Sequence, residues 1–561
     1  MNYLALSIGP IIETLSYCKK TRELWVGSYF FSYFMRTLIG ELGDDVDMIL
    51  PYVPSNKDER YDMLTKYKEE GIFHDRFIAS SEDKNKEALK ELIESSIDKA
   101  LNSIISKDNL NMVGYINEKD STAIKEVLKS YLQYHYIIAT EEELISSTGK
   151  DNIIFAIDAI LDSMELQTSF DSDNSTKVCK VNRDDYSVKT HGLVTPLAKL
   201  QYEAKSMKDI IDNTNFGFKS IPKIAVSDIV EKLSEDKEYK KILDKLEKDE
   251  ERFWTLKDDP YDTFYNAINR NKDFKPHHKY YAVIYADGDK MGSTIKSIYE
   301  GDDKDGKIKQ FSKNIYEYIS HDETDKEDNK QTSLYKIIDD FGGMLIFAGG
   351  DDLLFFAPIF GVEARTVFDL LEEIAKRFKD QMKVGAESVD VSLSFGMSIQ
   401  YYKSPMIEAI ERSKKLLFSD AKKHNTKKTS GSLALELTKH SGQSFKAIFF
   451  INDDEKVYGA YKKLFTQELS RDIELPHNIQ YALQKYEYLI VDIFANYKED
   501  ATARIEALFT KMLEIDMRSD KAKEGIKLLQ EYILKLAPSS KDEFKKLTTQ
   551  LAIIKFLRGD Q

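Results

Sequence analysis

Cysteine is almost absent from this chain: Cys18 and Cys179 are its only two cysteines among 561 residues. Two cysteines can build neither a disulfide framework nor a four-cysteine zinc site, so we expect no structural zinc. Long apolar runs are also missing, and Pro10 and Glu13 interrupt the apolar start of the chain. The sequence therefore predicts neither a membrane span nor a signal peptide, and we expect a cytoplasmic protein that has no membrane partner.

The chain has no long basic run, and its formal net charge is −15. Proteins that grip nucleic acid along an extended track do so mainly through Lys and Arg on phosphates. The charge therefore argues against such a protein acting alone. Contact with RNA through local patches or through partner subunits remains open.

The length indicates several domains, and a hydrophobic content of 42% is ample for their cores. Two stretches alternate strands with helices, a charged and mainly helical stretch lies between them, and helical periodicity dominates the end of the chain. We predict an α+β domain at 1–165, a helical insert at 166–275, a second α+β domain at 276–451 and a helical C-terminal domain at 452–561. In the second α+β domain, apolar residues from Val389 to Ile399 alternate with polar ones or glycine, which predicts a half-buried strand.

Two adjacent carboxylates lie between two apolar runs in the second α+β domain. Met344–Ala348 and Leu353–Ala357 flank Gly349, Gly350, Asp351 and Asp352. This pattern is typical of a buried β-hairpin whose turn holds both acids, and glycine lets a ligand approach the main chain. An isolated turn of this kind can also be ordinary surface structure.

A third carboxylate follows another apolar strand, Tyr281–Ala286, in the sequence Asp287-Gly288-Asp289-Lys290. If this strand pairs with the hairpin, Asp287, Asp351 and Asp352 meet at one edge of the sheet. Nucleotidyl transfer needs such carboxylates around two cations about 4 Å apart, and oxygen ligands suit Mg²⁺ or Mn²⁺.

The segment after Asp287 is suited to binding the phosphates and base of a nucleotide. Gly288 allows close approach, and the helix after it points amides at anions. We therefore assign Gly288, Asp289, Lys290, Ser293, Gly349 and Gly350 to nucleotide binding. The two α+β domains also look like repeats: Ile8-Gly9-Pro10 matches Asp287-Gly288-Asp289 but lacks a carboxylate, so we expect it to form the opposite wall of a shared pocket.

The second α+β domain resembles the palm domain of GGDEF-type nucleotide cyclases. Val391–Gly396 is similar to the strand after their central helix, and Ala421-Lys422 looks like the pair in which their lysine contacts phosphates. As a whole, the chain resembles the large polymerase/cyclase-like subunit of type III CRISPR effector complexes, Cmr-type branch. Four stretches carry this resemblance: Ser7–Pro10, Thr21–Ser28, Ala286–Gly292 and Ala348–Asp352.

The resemblance implies an α+β multidomain protein with two ferredoxin-like palm/cyclase domains that bind ATP between them. It implies two metal ions, a phosphate contact by Lys422, partner subunits, and contact with guide and target RNA mainly through the complex. Target RNA would switch on synthesis of cyclic oligoadenylate, an adenylate second messenger.

The chain departs from that family in having no second His/Asp set beside His74-Asp75 or His321-Asp322, so we expect no HD nuclease activity. Three alternatives stay open: transfer of AMP from ATP to S-adenosylmethionine, a diguanylate cyclase, and a non-catalytic scaffold subunit.

Overall fold

The computed structural model describes residues 1–16, 18, 21–66, 73–104, 129, 132–167, 219–251, 260–300, 304–320, 333–384, 387–388, 391–425, 431–451, 457–513 and 519–559. Much of the predicted insert, 168–218 and 252–259, therefore lies outside the described residues, as does His321-Asp322.

The N-terminal part contains a four-stranded antiparallel sheet in the order β2-β3-β1-β4. Its strands are β1 Asn2–Gly9, β2 Asp47–Leu50, β3 Arg76–Ser81 and β4 Gln133–Thr140. Six consecutive residues of β1 are buried because β1 lies between β3 and β4 and is covered on both faces. The accompanying helices are α1 Ile11–Ser16, α2 Thr21–Leu42, α3 Lys57–Lys66, α4 Lys86–Ile104, α5 Glu141–Thr148 and α6 Ile153–Gln167.

The second sheet has six strands in the order β12-β11-β10-β5-β7-β6. They are β5 Tyr280–Asp289, β6 Met344–Gly349, β7 Asp352–Pro358, β10 Ser392–Tyr401, β11 Ser432–Thr438 and β12 Ser444–Phe450, and β8 Lys383–Val384 pairs separately with β9 Glu387–Ser388. The core order β10-β5-β7-β6 repeats that of the first sheet, β4-β1-β3-β2. Both are the ferredoxin-like arrangement that the sequence predicts.

Both faces of the second sheet are buried. Alternate residues of β5 enter two different hydrophobic clusters: Ala282 and Ile284 face one, and Tyr281 and Val283 face the other. Helices α11 Met291–Tyr299, α12 Lys304–Ile319, α13 Leu334–Asp340 and α14 Val367–Gln381 join these strands, and α15 Met406–Lys415 follows β10. The prediction that β10 is half-buried is wrong, because helices cover both of its faces and Ser394 and Ser398 are fully buried.

Four described helices belong to the predicted insert: α7 Ile221–Ala225, α8 Val230–Glu235, α9 Lys237–Glu251 and α10 Pro260–Ile268. Their apolar side chains join Trp25 of α2 and one face of the second sheet in a single cluster. The insert therefore helps to bury the sheet that carries the predicted site.

The C-terminal helices are α17 Val457–Ser470, α18 Ile479–Lys485, α19 Glu487–Asn496, α20 Ala501–Leu513, α21 Asp520–Leu536 and α22 Lys541–Arg558. They pack on α14, where the Phe368 and Phe465 rings meet edge to face at 4.9 Å. No helix of the described residues is long and apolar enough to cross a bilayer. The α+β class is confirmed, whereas the domain boundaries at 165, 275 and 451 stay predictions.

Candidate active site

The hairpin turn has the form that the sequence predicts. Gly349 at the end of β6 pairs with Asp352 at the start of β7, which leaves Gly350 and Asp351 as a two-residue turn. Gly350 has a φ of +70°, which glycine adopts without steric cost. The turn thus presents two successive carboxylates at the end of a buried hairpin.

Strand pairing brings Asp287 to this turn. β5 runs antiparallel to β7, and its last paired residue, Ala286, lies opposite Leu353, so Asp287 continues alongside the start of β7. Gly288 lies so close to the turn that a Cβ atom on it would be 2.6 Å from Asp351 Oδ2. Its backbone amide also hydrogen-bonds the Asp351 carboxylate. The structure therefore brings Asp287, Asp351 and Asp352 close enough for their charges to interact.

The pKa of each of the three carboxyl groups is raised, and a bound cation would favour loss of their protons. Burial, followed by the charge of Asp287, raises the pKa of Asp351 to about 6. Burial and the charges of Asp351 and Asp287 raise the pKa of Asp352 to about 8, and burial also raises the pKa of Asp287. Asp352 Oδ1 is buried and has no hydrogen-bond partner among the described residues. Crowded carboxylates with an unused oxygen fit a divalent cation.

Lys422 is the cation that the structure places against this cluster. Helix α15 continues through a π-helical turn, Leu416–Ala421, into the short helix α16, Lys422–His424. The Lys422 ammonium donates hydrogen bonds to the Asp287 carboxylate and to the carbonyl of Gly288, the latter at 2.9 Å. Lys422 therefore neutralises part of the charge at Asp287, which limits the rise in the pKa of that carboxyl group.

Glycine allows the Lys422 helix to lie directly on the sheet. A Cβ atom on Gly396 of β10 would be 2.0 Å from the carbonyl oxygen of Ser413. Any side chain at position 396 would therefore push the helix away from β10. π-Helical turns are rare and are frequent at functional sites.

The remaining predicted residues, Asp289, Lys290 and Ser293, do not join the carboxylate cluster through their side chains. Asp289 is 5% exposed, and its carboxylate accepts hydrogen bonds within the protein. Lys290 has a φ of +65° just before α11. Ser293 is exposed, and its hydroxyl donates to the Lys290 carbonyl at 2.8 Å. Their nucleotide-binding roles stay predictions.

A cavity of about 290 Å³ lies between the two α+β parts of the chain. Gly350 and Asp351 form one part of its wall, Met291 and Ile295 of α11 another, and the segment before β3 a third. This third part includes His74 and Asp75 of the N-terminal α+β part, whereas we expected Ile8-Gly9-Pro10. The backbone amide of Ile8 donates to the Asp75 carbonyl at 2.8 Å, so the predicted segment Ile8-Gly9-Pro10 lies next to the segment that lines the cavity.

From the sequence we considered His74-Asp75 only as part of a nuclease site and did not expect these residues at the cavity. β3 has the same place in the first sheet as β7 has in the second, so the residues before β3 correspond to the hairpin turn before β7. Asp75 precedes β3 as Asp351 precedes β7. Burial raises the pKa of Asp75 and lowers that of His74 to about 4, which leaves His74 neutral near pH 7. Aligning the repeats at this strand, rather than at the first, would have found both residues.

A second group of potential metal ligands lies away from the hairpin: Asp228, His277 and His278. The backbone amide of Lys275 donates to His278 Nδ1 at 2.8 Å, so the ring proton lies on Nε2, which donates to Asp228 at 3.0 Å. A protonated Nε2 cannot bind a cation. The geometry therefore favours a buried His–Asp hydrogen bond over a metal site.

The fold and the acidic turn define a protein with two palm-like units, one of which carries the carboxylates. Two family models match the chain: Cas10/Cmr2, second palm domain, over residues 280–430, and CRISPR-associated protein Cmr2, N-terminal, over residues 3–106. A curated relative, the CRISPR system Cmr subunit Cmr2 of Pyrococcus furiosus, is 29% identical over 219 residues. That match covers 37% of this chain and 23% of the relative, so the chain spans less than a quarter of that protein's length.

Two solved structures share the fold over nearly the whole chain. The apo state of a type III-B Cmr-beta complex contains a chain that matches with a TM-score of 0.59 and 12% identity, covering 99% of this chain and 82% of that one. The same type of complex bound to cognate target RNA matches with a TM-score of 0.54 and 12% identity, covering 99% and 83%. The chain is thus similar to Cas10/Cmr2 proteins over two separate regions, and the resemblance seen in its sequence is confirmed.

Proposed function

We propose that this protein is the nucleotidyltransferase subunit of a type III, Cmr-type CRISPR effector complex. In this proposal it uses ATP and two divalent metal ions to make an adenylate second messenger, cyclic oligoadenylate, when target RNA pairs with the guide RNA. The observation that carries the proposal is the convergence of Asp287, Asp351 and Asp352 beside a cavity, with a buried oxygen of Asp352 left without a partner. The family match supports the choice of complex.

The chain's own residues divide the work as follows. Asp287, Asp351 and Asp352 would hold the ions, and Mg²⁺ or Mn²⁺ bound there would activate the attacking ribose hydroxyl and offset the charge of the triphosphate. Lys422 favours the ionised form of Asp287 and adds a positive charge beside the place where phosphates would bind. Gly288 leaves room for the Asp351 carboxylate and Met291, and Gly350 leaves room for the His74 ring, so both glycines shape the acidic turn.

The test is product analysis on the effector complex purified through a tagged copy of this subunit. We expect labelled ATP and Mn²⁺ to give adenylate products only when target RNA complementary to the guide is added. Asp287→Ala should abolish them. A product formed from GTP alone would support the diguanylate cyclase alternative instead, and no product from any nucleotide would support a scaffold.

A second candidate acceptor is favoured by one observation, the position of Asp75. This carboxylate lines the same cavity as Asp351, together with Asp158, Arg76 and many apolar side chains. When ionised, the aspartates of such a wall repel a second triphosphate and attract a cationic group. The sulfonium of S-adenosylmethionine has that charge, so we propose AMP transfer to S-adenosylmethionine as the alternative reaction.

Adding S-adenosylmethionine separates the two reactions. A conjugate requires that label from both ATP and S-adenosylmethionine appears in one product, and that Asp75→Asn weakens its formation. A cyclic ladder that forms from ATP alone, and that Asp75→Asn leaves unchanged, would eliminate the conjugate.

A further inference from the structure

The carboxylate of Asp289 is the centre of a buried hydrogen-bond network beside the candidate site. It is 5% exposed and accepts hydrogen bonds from Ser392 Oγ at 2.8 Å, Ser394 Oγ at 2.8 Å, Asn425 Nδ2 at 2.8 Å and the Gly431 amide at 2.9 Å. All four donors are neutral. Burying a carboxylate is costly unless hydrogen bonds satisfy it, and these four donors do so.

The network joins three parts of the chain that the sequence keeps far apart. Asp289 ends β5, Ser392 and Ser394 begin β10, and Asn425 follows the helix that carries Lys422. The side-chain amide of Asn425 also donates to Ser394 Oγ at 3.0 Å, and its backbone amide donates to the Lys422 carbonyl at 3.3 Å. The end of the Lys422 helix is thus tied to the strand that carries Asp287.

We propose that Asp289 is a positioning residue that holds Lys422 on Asp287. Asp287 and Asp289 are two residues apart on β5 and project from the same face of the strand. Asp287 receives the Lys422 ammonium, and Asp289 receives Asn425, three residues further along the chain. Because the segment is fixed at both Lys422 and Asn425, the Lys422 side chain loses little conformational entropy when it contacts Asp287 and Gly288.

A carboxylate suits this role better than an amide. It only accepts hydrogen bonds, so all four donors can point at it. In Asp289→Asn the side chain has nearly the same shape, but its NH₂ group must face at least one of these donors. The variant should therefore loosen the segment around Asn425 without removing a catalytic group.

The proposal rests on the proposed function, but the two must be tested separately. The first test therefore measures the reactivity of the Lys422 amine, which does not depend on product formation. Acylation of lysines by a limiting amount of an acylating reagent, read by peptide mass spectrometry, reports how firmly Lys422 is held. We expect Lys422 to react about fivefold faster in Asp289→Asn and about twofold faster in Asn425→Ala, since either change removes the anchor. Asp369→Asn is the matched control: this carboxylate accepts bonds from Thr366 at a helix start remote from the site, and Lys422 should react at the wild-type rate.

Kinetics give the second measurement. In the target-activated complex, Asp289→Asn should lower kcat about tenfold while the KM for ATP changes by less than about threefold, because a displaced Lys422 affects the transition state more than binding. Unchanged acylation of Lys422 in folded Asp289→Asn and Asn425→Ala would overturn the proposal. If the wild-type complex forms no product, the proposed function fails, and the acylation rates still decide the role of Asp289.

Discussion

The imidazole of His74, from the N-terminal α+β part, lies against the Cα atom of Gly350 in the acidic hairpin turn. A Cβ atom on Gly350 would be 2.0 Å from His74 Cε1. The turn that carries Asp351 and Asp352 is therefore shaped by both halves of the chain. Two features require glycine at position 350: the φ of +70° and the contact with the His74 imidazole.

Replacing Gly350 should disable the site. We expect Gly350→Ala to reduce product formation about tenfold or more. Alanine is strained at the positive φ of this position, and its methyl group would clash with the His74 ring. The double variant Gly350→Ala with His74→Ala should regain part of the activity, since the steric clash is relieved and only the strain remains. Rates of ATP conversion in the target-activated complex measure both effects.

Gly442 provides the control for backbone strain alone. It has a φ of +87° in the turn between β11 and β12, and a Cβ atom there would meet nothing within 4 Å. Gly442→Ala should leave activity within about twofold of wild type. Full activity of Gly350→Ala would refute the packing described for the turn.

The affinity of the site for a cation should increase as the pH rises. The pKa of Asp351 is raised to about 6 and that of Asp352 to about 8, so protons occupy these carboxylates at low pH. A cation must displace those protons, so the apparent affinity for Mn²⁺ should increase as pH rises from about 6 to about 8, by at most about tenfold per pH unit for each proton displaced. Electron paramagnetic resonance titration of free Mn²⁺ against the protein measures this.

Asp352→Asn should remove most of that dependence, because it removes the carboxyl group whose pKa is about 8, above the value of about 6 for Asp351. Asp369→Asn, away from the cluster, should retain it. Equal Mn²⁺ affinity at both ends of the pH range in the wild-type protein would show that these carboxylates are not the ligands.

Much of the site is predictable from the sequence because its signals are local. An apolar strand that ends in Asp287, and a hairpin whose turn holds Asp351 and Asp352, are patterns of a few consecutive residues. Their convergence needed only one further assumption, that β5 pairs with β7, and the ferredoxin-like order supplies that pairing.

The contacts that we did not predict join residues that are far apart in the sequence. Asp289 belongs to the same motif as Asp287, yet its side chain is engaged by β10 and by Asn425, more than a hundred positions away. His74 reaches Gly350 from the other α+β part. β10 alternates apolar and polar residues, but its serines are buried because hydrogen bonds and overlying helices accommodate them.

The C-terminal helices should depend on one buried ion pair. Glu468 is fully buried, with the Arg558 guanidinium at 2.8 Å and the Leu475 amide donating to its other oxygen at 2.8 Å. Arg558→Met leaves this carboxylate without its cation, which should destabilise the helices by about 3–5 kcal/mol. Hydrogen exchange of peptides from α17 and α22 measures the change without assuming that the whole chain unfolds in one step.

An exposed pair provides the comparison. Lys523 and Asp520 lie 3.8 Å apart on the surface of α21, so Lys523→Met should change stability by less than about 0.5 kcal/mol. Equal protection of α17 and α22 in the Arg558→Met and Lys523→Met variants would contradict the importance of the buried pair.

The most direct measurement is the ATP product of the complex with both acids of the hairpin turn removed. Asp351→Ala with Asp352→Ala removes two carboxylates from a cluster that is electrostatically crowded without a cation, so the subunit should still fold and assemble. We expect this complex to form with its normal composition but to yield no adenylate product when target RNA is added. Wild-type levels of product from the double variant would show that these carboxylates are not required.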